Sequence, residues 1–256
     1  MHKEMEIDAA AEAERIESFI RSELKGAGLS KIVIGLSGGV DSAAVAFLCG
    51  RAAGPENVCA LFMPSRTSSA ESVAHAQAVA EAAGIAFEKI EITAAVDALE
   101  EMLPAGGRVR RGNVMARVRM ITIYDQSAKR GALVAGTGNR TEAMLGYTTL
   151  HGDSACGFRP IAHLYKCQVR QLAAYLGVPE EVVQKPPSAE LWQGQTDEGE
   201  LGFSYDEADW LLFNMLDKNK DDDALQAMGF GLGFIQRVKT LVDKSEFKRR
   251  MPHGLG

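Results

Sequence analysis

The chain has 256 residues, 46% of them hydrophobic and 24% charged, with a formal net charge of −6 at pH 7. That usage is globular and suits one large α/β domain; the acidic balance argues against a nucleic-acid binder, which carries a basic face. No apolar run is long enough to span a membrane, and the acidic, helical start is not a signal peptide. Four cysteines without a CxxC and five scattered histidines fit reduced thiols in a cytoplasmic protein, with no zinc site.

Taken in chain order, Ile16, Phe19, Ile20 and Leu24 recur at helical spacing, and Gly26 and Gly28 end that helix. Residues 31–37 form a short β-branched run typical of a buried parallel strand, followed by a glycine-rich turn and an apolar helix through Cys49. Strands are expected at 57–64, 85–92 and 132–137, and helices at 70–83, 97–103 and 113–130. This alternation implies right-handed βαβ crossovers: an α/β, doubly wound, mostly parallel sheet with helices on both faces. Residues 138–165 read as loop-rich, 166–176 as a helix and 185–205 as a long polar loop, with two or three further helices up to Phe247. Residues 1–256 therefore read as a single domain with a helical C-terminal portion.

The loop Ser37-Gly38-Gly39-Val40-Asp41-Ser42 follows a strand and opens a helix. Paired glycines allow a positive φ and a close approach to a ligand, and the helix N-terminus favours an anion. Asp41 is a poor choice beside an anion unless a cation lies between, and Mg²⁺ is the natural bridge to phosphate oxygens. Walker A and dinucleotide GxGxxG patterns are both absent.

SGGVDS in this setting resembles the pyrophosphatase loop of the N-type ATP pyrophosphatases, which cleave ATP between its α and β phosphates and adenylate a substrate. Four later blocks narrow the resemblance: GTGNRTEAMLGYTTLHGD (136–153), PIAHLYKCQVRQLA (160–173), KPPSAELWQGQTDEGELGFSY (185–205) and FKRRMP (247–252). Together they look like the bacterial ammonia-dependent NAD synthetase family. The resemblance implies an adenine nucleotide alpha hydrolase-like fold. It also implies amidation of nicotinic acid adenine dinucleotide (deamido-NAD) by ammonia, consuming ATP and yielding NAD, AMP and pyrophosphate. Glutamine-using members carry a long N-terminal nitrilase-like domain; about thirty residues precede the first strand here, so no glutaminase domain is expected.

By the same resemblance Gly35, Leu36, Ser37, Gly38, Gly39, Val40, Asp41, Ser42, Thr137, Lys166 and Ser188 bind ATP, with Asp41 and Lys166 catalytic. Asp41 and Glu142 hold Mg²⁺, while Arg117, Asp153, Phe247 and Lys248 contact deamido-NAD. Each has a plainer reading. Glu142 could be a helix N-terminal charge, Thr137 a turn cap, Lys166 a surface lysine, Ser188 a helix N-cap and 247–252 a basic tail. Arg119 faces elsewhere than Arg117, and Arg108, Arg110 and Arg111 read as a solvated basic loop. Leu150 and Gly157 stand where some members have a dinucleotide-binding lysine and aspartate. The acidic stretch 195–202 resembles a mobile lid. The resemblance further implies a homodimer with deamido-NAD at its interface, and Val114, Val118, Ile121 and Tyr124 are candidates for it. Rival readings are GMP synthetase, a tRNA thiolase, which needs a persulfide cysteine and a basic surface, and a non-catalytic nucleotide-binding module, which does not need Asp41, Glu142 and Lys166 together.

Overall fold

The computed structural model describes residues 2–103, 106–192, 194–251 and 254. Gln193, and Pro252 at the end of the 247–252 block, lie outside the described residues.

Chain order runs α1 (Ala9–Ala27), β1 (Lys31–Gly35), α2 (Val40–Ala53), β2 (Val58–Phe62), α3 (Ala70–Ala83), β3 (Ala86–Lys89), α4 (Thr93–Met102), α5 (Arg108–Arg130) and β4 (Ala132–Ala135). The four strands form one parallel sheet in the order β3-β2-β1-β4. Ile32 sits opposite Val58 on one side, and Ile34 opposite Ala135 on the other. The chain thus winds outward from β1 in one direction and then crosses to β1's other edge. The strand order reverses between β1 and β4, and there the carboxyl ends of parallel strands leave a crevice for ligands.

Both sheet faces are covered, as period-two strands buried on two sides require. Ile32, Ile34, Ala60 and Phe62 pack with α1, α2 and α3 on one face, where Ile16, Leu48 and Val79 are buried. Val33, Leu61 and Val134 pack with α4 and α5 on the other, through Val96, Met115 and Val118. After β4 come α6 (Arg140–Leu145), α7 (Lys166–Leu176), α8 (Glu180–Val183), α9 (Asp197–Leu201), α10 (Tyr205–Leu212), α11 (Asp222–Ala227) and α12 (Leu232–Lys244). The last three surround a third apolar cluster with Tyr205, Leu211, Leu225 and Ile235 at its centre. Helix α7 joins the layers: Val169 and Leu172 belong to the sheet-side core, whereas Cys167 belongs to the C-terminal cluster.

Three expectations need correction. Arg108, Arg110 and Arg111 form the first turn of α5 instead of a loop, and Arg111 pairs with Glu100 of α4 at 2.7 Å. The helix runs on through Gly112, where an added Cβ would lie 2.7 Å from Leu191 Cδ1; glycine is there for packing, not for breaking. The 138–165 and 185–205 stretches each contain a short helix, α6 and α9, capped by Asn139 and Thr196.

Candidate active site

The glycine turn sits between β1 and α2, at the strand-order reversal. Gly38 has φ 80°, and a Cβ there would fall 2.6 Å from the Ser72 carbonyl oxygen in the first turn of α3. Only glycine meets both demands. Its role is to make the turn; the cavity wall is formed by Ser37 and Gly39 beside it. The two serines hold the loop's shape. Ser42 Oγ accepts from the Ser37 amide at 3.2 Å and donates to the Gly39 carbonyl at 3.0 Å. The Ser42 proton is thus used inside the loop. The first amides of α2 remain as donors to an anion, with the helix dipole behind them.

Asp41, Glu142 and Lys166 converge from three elements. Lys166, 3% exposed at the start of α7, donates to Asp41 Oδ2 and reaches Glu142 Oε1 at 3.1 Å. Its ammonium also lies 4.9 Å from the centroid of the Tyr205 ring. The surface-lysine reading of Lys166 therefore fails. Burial pulls its ammonium down, but the Asp41 and Glu142 carboxylates outweigh that and hold it above the ordinary lysine range. Glu142 is pushed up to about 8, chiefly by burial, with Asp41 adding and Lys166 opposing. Below about pH 8 Glu142 therefore stays protonated beside the Asp41–Lys166 pair, and ionising it leaves two carboxylates facing one ammonium in a buried place. Such a cluster suits a further cation, and its all-oxygen donors suit Mg²⁺, which takes a few carboxylates and completes its shell with phosphate oxygens and water. No group of three or more carboxylate, thiol or imidazole ligands exists among the described residues.

The backbone around Lys166 is held by a residue the sequence reading passed over. Asp209, buried on α10, accepts from the Thr141 hydroxyl at 2.5 Å and from the Cys167 amide at 2.8 Å. Thr141 Oγ1 in turn accepts from the Lys166 amide at 3.0 Å. Asn139 was also missed. It caps α6 in a reciprocal box with Glu142 and donates to Asp41. An Asn three residues before a Glu is a helix-start signal that could have marked it.

Asp41, Glu142 and Lys166 line a cavity of about 620 Å³, large enough for a nucleotide. Thr137, Ser188, Asp153 and Lys248 line it too. Ser188 is not a helix N-cap: its hydroxyl donates to the Gln195 carbonyl at 2.7 Å and accepts from the Glu190 amide. Asp153 accepts from Thr148 Oγ1 and the Thr149 amide, at 2.6 and 2.7 Å. Lys248 donates to the Gly146 and Thr148 carbonyls at 2.8 and 2.7 Å, which ties 247–251 down more firmly than a frayed tail.

Arg117 and Phe247 are not brought to this cavity. Arg117 is exposed and donates to the Leu150 carbonyl at 3.2 Å, and Phe247 is 60% exposed. Two residues along a helix turn the side chain by about 200°, so Arg119 is the arginine in the cavity wall, donating to the Met63 carbonyl at 3.1 Å. Burial pulls its guanidinium below the ordinary range, with Glu190 and Asp153 offsetting part of that. At Gly157 a Cβ would meet Leu133 Cδ1 at 2.7 Å, so the aspartate that the resemblance would place there requires Leu133 to shift. Within 195–202, Gln195, Asp197 and Leu201 are buried, and Asp197 accepts from the Tyr205 hydroxyl at 3.1 Å.

A family model described as NAD synthase matches residues 12–252. The NH(3)-dependent NAD(+) synthetase of Chlorobium phaeobacteroides is 48% identical over 249 residues, 97% of this chain and 90% of that protein. Its counterpart from Chlorobaculum tepidum is 51% identical over 234 residues, 91% of this chain and 84% of its own length. Among solved structures, an NH3-dependent NAD synthetase from Campylobacter jejuni, in complex with the nitrate ion, matches with a TM-score of 0.84 at 35% identity. That match covers 98% of this chain and 100% of the other. An NMN synthetase from Francisella tularensis matches with a TM-score of 0.85 at 31% identity, over 98% and 99% of the two chains.

Proposed function

The chain belongs to the NAD synthase family, and we propose that the crevice between β1 and β4 is where it adenylates and then amidates its substrate. The reaction is the ATP-dependent amidation of deamido-NAD by ammonia to NAD, the last step of NAD biosynthesis, catalysed by an AMP-forming ligase. The observation that carries the site assignment is the convergence of Asp41, Glu142 and Lys166 at the mouth of the glycine turn.

In the first step a nicotinate oxygen attacks the α-phosphorus of ATP. The new O–P bond forms as the bond to the β-phosphate oxygen breaks, and pyrophosphate leaves. The amides at the start of α2 and the Lys166 ammonium face the leaving charge, so positioning and charge neutralisation supply the rate without a nucleophilic side chain. Asp41 and Glu142 would hold Mg²⁺, which when bound neutralises phosphate charge. In the second step the ammonia nitrogen attacks the acyl carbon, and AMP departs with the former nicotinate oxygen. Ammonium must first lose a proton. Asp197 lines the cavity and is held above the ordinary carboxyl range by burial, with Lys166 and the Tyr147 and Tyr205 hydroxyls opposing. Glu200 lines the same wall and accepts from Gln195 at 2.9 Å. These two are the candidate proton acceptors.

Residues 1–256 are read as one functional unit, because Asp209 of α10 anchors both α6 and α7. A homodimer is supported by the outward side of α5, where Ile121 is 60% and Tyr124 39% exposed. Val118, also a candidate for that face, is buried instead. Arg117 and Phe247, which do not reach the cavity of their own chain, would meet deamido-NAD across such an interface. Cytoplasmic residence is supported by four free thiols; no helix among the described residues is long and apolar enough to cross a membrane.

The test is NAD formation from deamido-NAD, ATP and Mg²⁺, with ammonium chloride in one tube, glutamine in a second, and the nicotinate mononucleotide replacing deamido-NAD in a third. NAD with ammonium and not with glutamine is expected. Amidation of the mononucleotide in preference to deamido-NAD would overturn the substrate assignment.

A further inference from the structure

Glu190 has φ 48°, a backbone conformation that costs a non-glycine residue about 1–2 kcal/mol. What holds it there is an unusual set of donors. Its carboxylate accepts from the Ser69 hydroxyl at 3.1 Å, the Ser69 amide at 3.4 Å, the Lys185 ammonium at 3.2 Å and the Ser72 hydroxyl. Its carbonyl accepts from the Thr67 hydroxyl at 3.2 Å, and Lys185 also donates to Ser72 Oγ at 2.6 Å. A carboxylate at the N-terminus of a fourteen-residue helix, with a lysine beside it, is fully compensated.

The two ends of this cluster matter for the cavity. Lys185, Ser188 and Glu190 all line its wall, and Ser188 holds the Glu190 amide. On the far side, fully buried Ser72 presents the carbonyl that packs against Gly38. One carboxylate therefore pins the 185–192 segment to the residue that backs the glycine turn.

We propose that Glu190 is a positioning residue for ATP: it fixes the 185–192 segment on the first turn of α3, keeping Lys185 and Ser188 at the cavity wall and the turn at Gly38 seated. The inference rests on the reading of the crevice as the ATP site. Without the Glu190 carboxylate the segment loses its charged anchor, and ATP must order it on binding. That cost appears in the affinity for ATP and not in the chemical step.

The test compares the wild-type chain with Glu190→Gln, Glu190→Asp, Lys185→Met and the Glu190→Gln/Lys185→Met double variant. NAD formation gives kcat and both KM values, ATP affinity is measured directly by equilibrium binding, and thermal melting checks the fold. Glu190→Gln should raise both KM and Kd for ATP on the order of tenfold, the scale of a lost charge-assisted hydrogen bond. The KM for deamido-NAD should move by less than about twofold, and Glu190→Asp should recover part of the loss. Lys185→Met and Glu190→Gln should be non-additive, since they act through one contact. Unchanged ATP affinity in folded Glu190→Gln would overturn the proposal. So would a fall in kcat and a rise in both KM values in step with the melting temperature. If the wild-type chain made no NAD, the family-based activity would be at fault, and direct ATP binding would still decide the role of Glu190.

Discussion

Asn139 Nδ2 donates to Asp41 Oδ1 across 2.8 Å, joining the two helix starts that follow β4 and β1. The same side chain accepts from the Glu142 amide at 2.9 Å and starts α6. The Asn139 backbone amide donates to Glu142 Oε2 at 3.3 Å, so one buried residue contacts both carboxylates of the candidate metal site, the side chain holding Asp41 and the backbone holding Glu142.

Replacing it by alanine should separate these effects. Asn139→Ala removes a helix N-cap, at a cost of about 1 kcal/mol. It should also raise the Mg²⁺ concentration needed for half-maximal NAD formation about tenfold, the scale of a lost partner to a ligand. Urea unfolding and a Mg²⁺ titration of activity measure the two; an unchanged Mg²⁺ curve would show that Asp41 needs no such support.

Gly38→Ala meets two obstacles together, a φ of 80° and a Cβ 2.6 Å from the Ser72 carbonyl oxygen. The backbone term alone is about 1–2 kcal/mol, and the contact forces α3 away from the turn. Loss of ATP binding with a lowered melting temperature is expected. Wild-type ATP affinity in this variant would mean the turn does not grip the nucleotide.

Gly157→Asp introduces the aspartate that the resemblance would place here, yet its Cβ falls 2.7 Å from Leu133 Cδ1 and 3.2 Å from the Val134 carbonyl. The change should lower stability by about 1–3 kcal/mol without improving the KM for deamido-NAD. Adding Leu133→Ala opens the space and should recover part of the loss. A tighter deamido-NAD KM in the single variant would contradict this packing argument.

The anchor at Glu190 has a pH signature. Burial pushes its carboxyl up, but the Ser72 hydroxyl and Lys185 outweigh that and hold it below the ordinary value of 4.5. Lys185 and Arg119 are the cations that face it. A carboxyl with a depressed folded value stabilises the fold fully above its unfolded value and loses that contribution as pH falls through the folded one. The stability gap between wild type and Glu190→Gln, read by urea unfolding, should be full near about pH 6 and shrink below about pH 4.5. A gap unchanged down to about pH 3 would mean the carboxylate's charge plays no part.

Much of this was legible in the sequence where local chemistry decides. The helix at 70–83 reads true because Ser69 caps it and Gly84 ends it, and the one at 166–176 because Gly177 ends it. Of the three charged residues of the candidate site, Asp41 stood out inside the glycine turn, whereas Glu142 and Lys166 were named through the family resemblance; all three sit at helix starts, of α2, α6 and α7. Their meeting is not local: Lys166 and Asp41 are 125 positions apart. Which of Arg117 and Arg119 faces the cavity depends on how α5 rolls on the Val33 face of the sheet, which spacing alone does not give. Gly112 looked like a helix boundary because its partner, Leu191, lies in a distant segment. The Glu190 cluster was invisible for the same reason, its donors lying up to 123 positions away.

The most direct measurement is pyrophosphate release by wild type, Asp41→Asn and Glu142→Gln, with deamido-NAD, ATP and Mg²⁺ present or withheld in turn. Wild type should release pyrophosphate only when all three are present, and each variant should lose on the order of 10² or more in turnover while staying folded. Release at the wild-type rate from folded Asp41→Asn and Glu142→Gln would contradict the assignment of this crevice as the adenylating site.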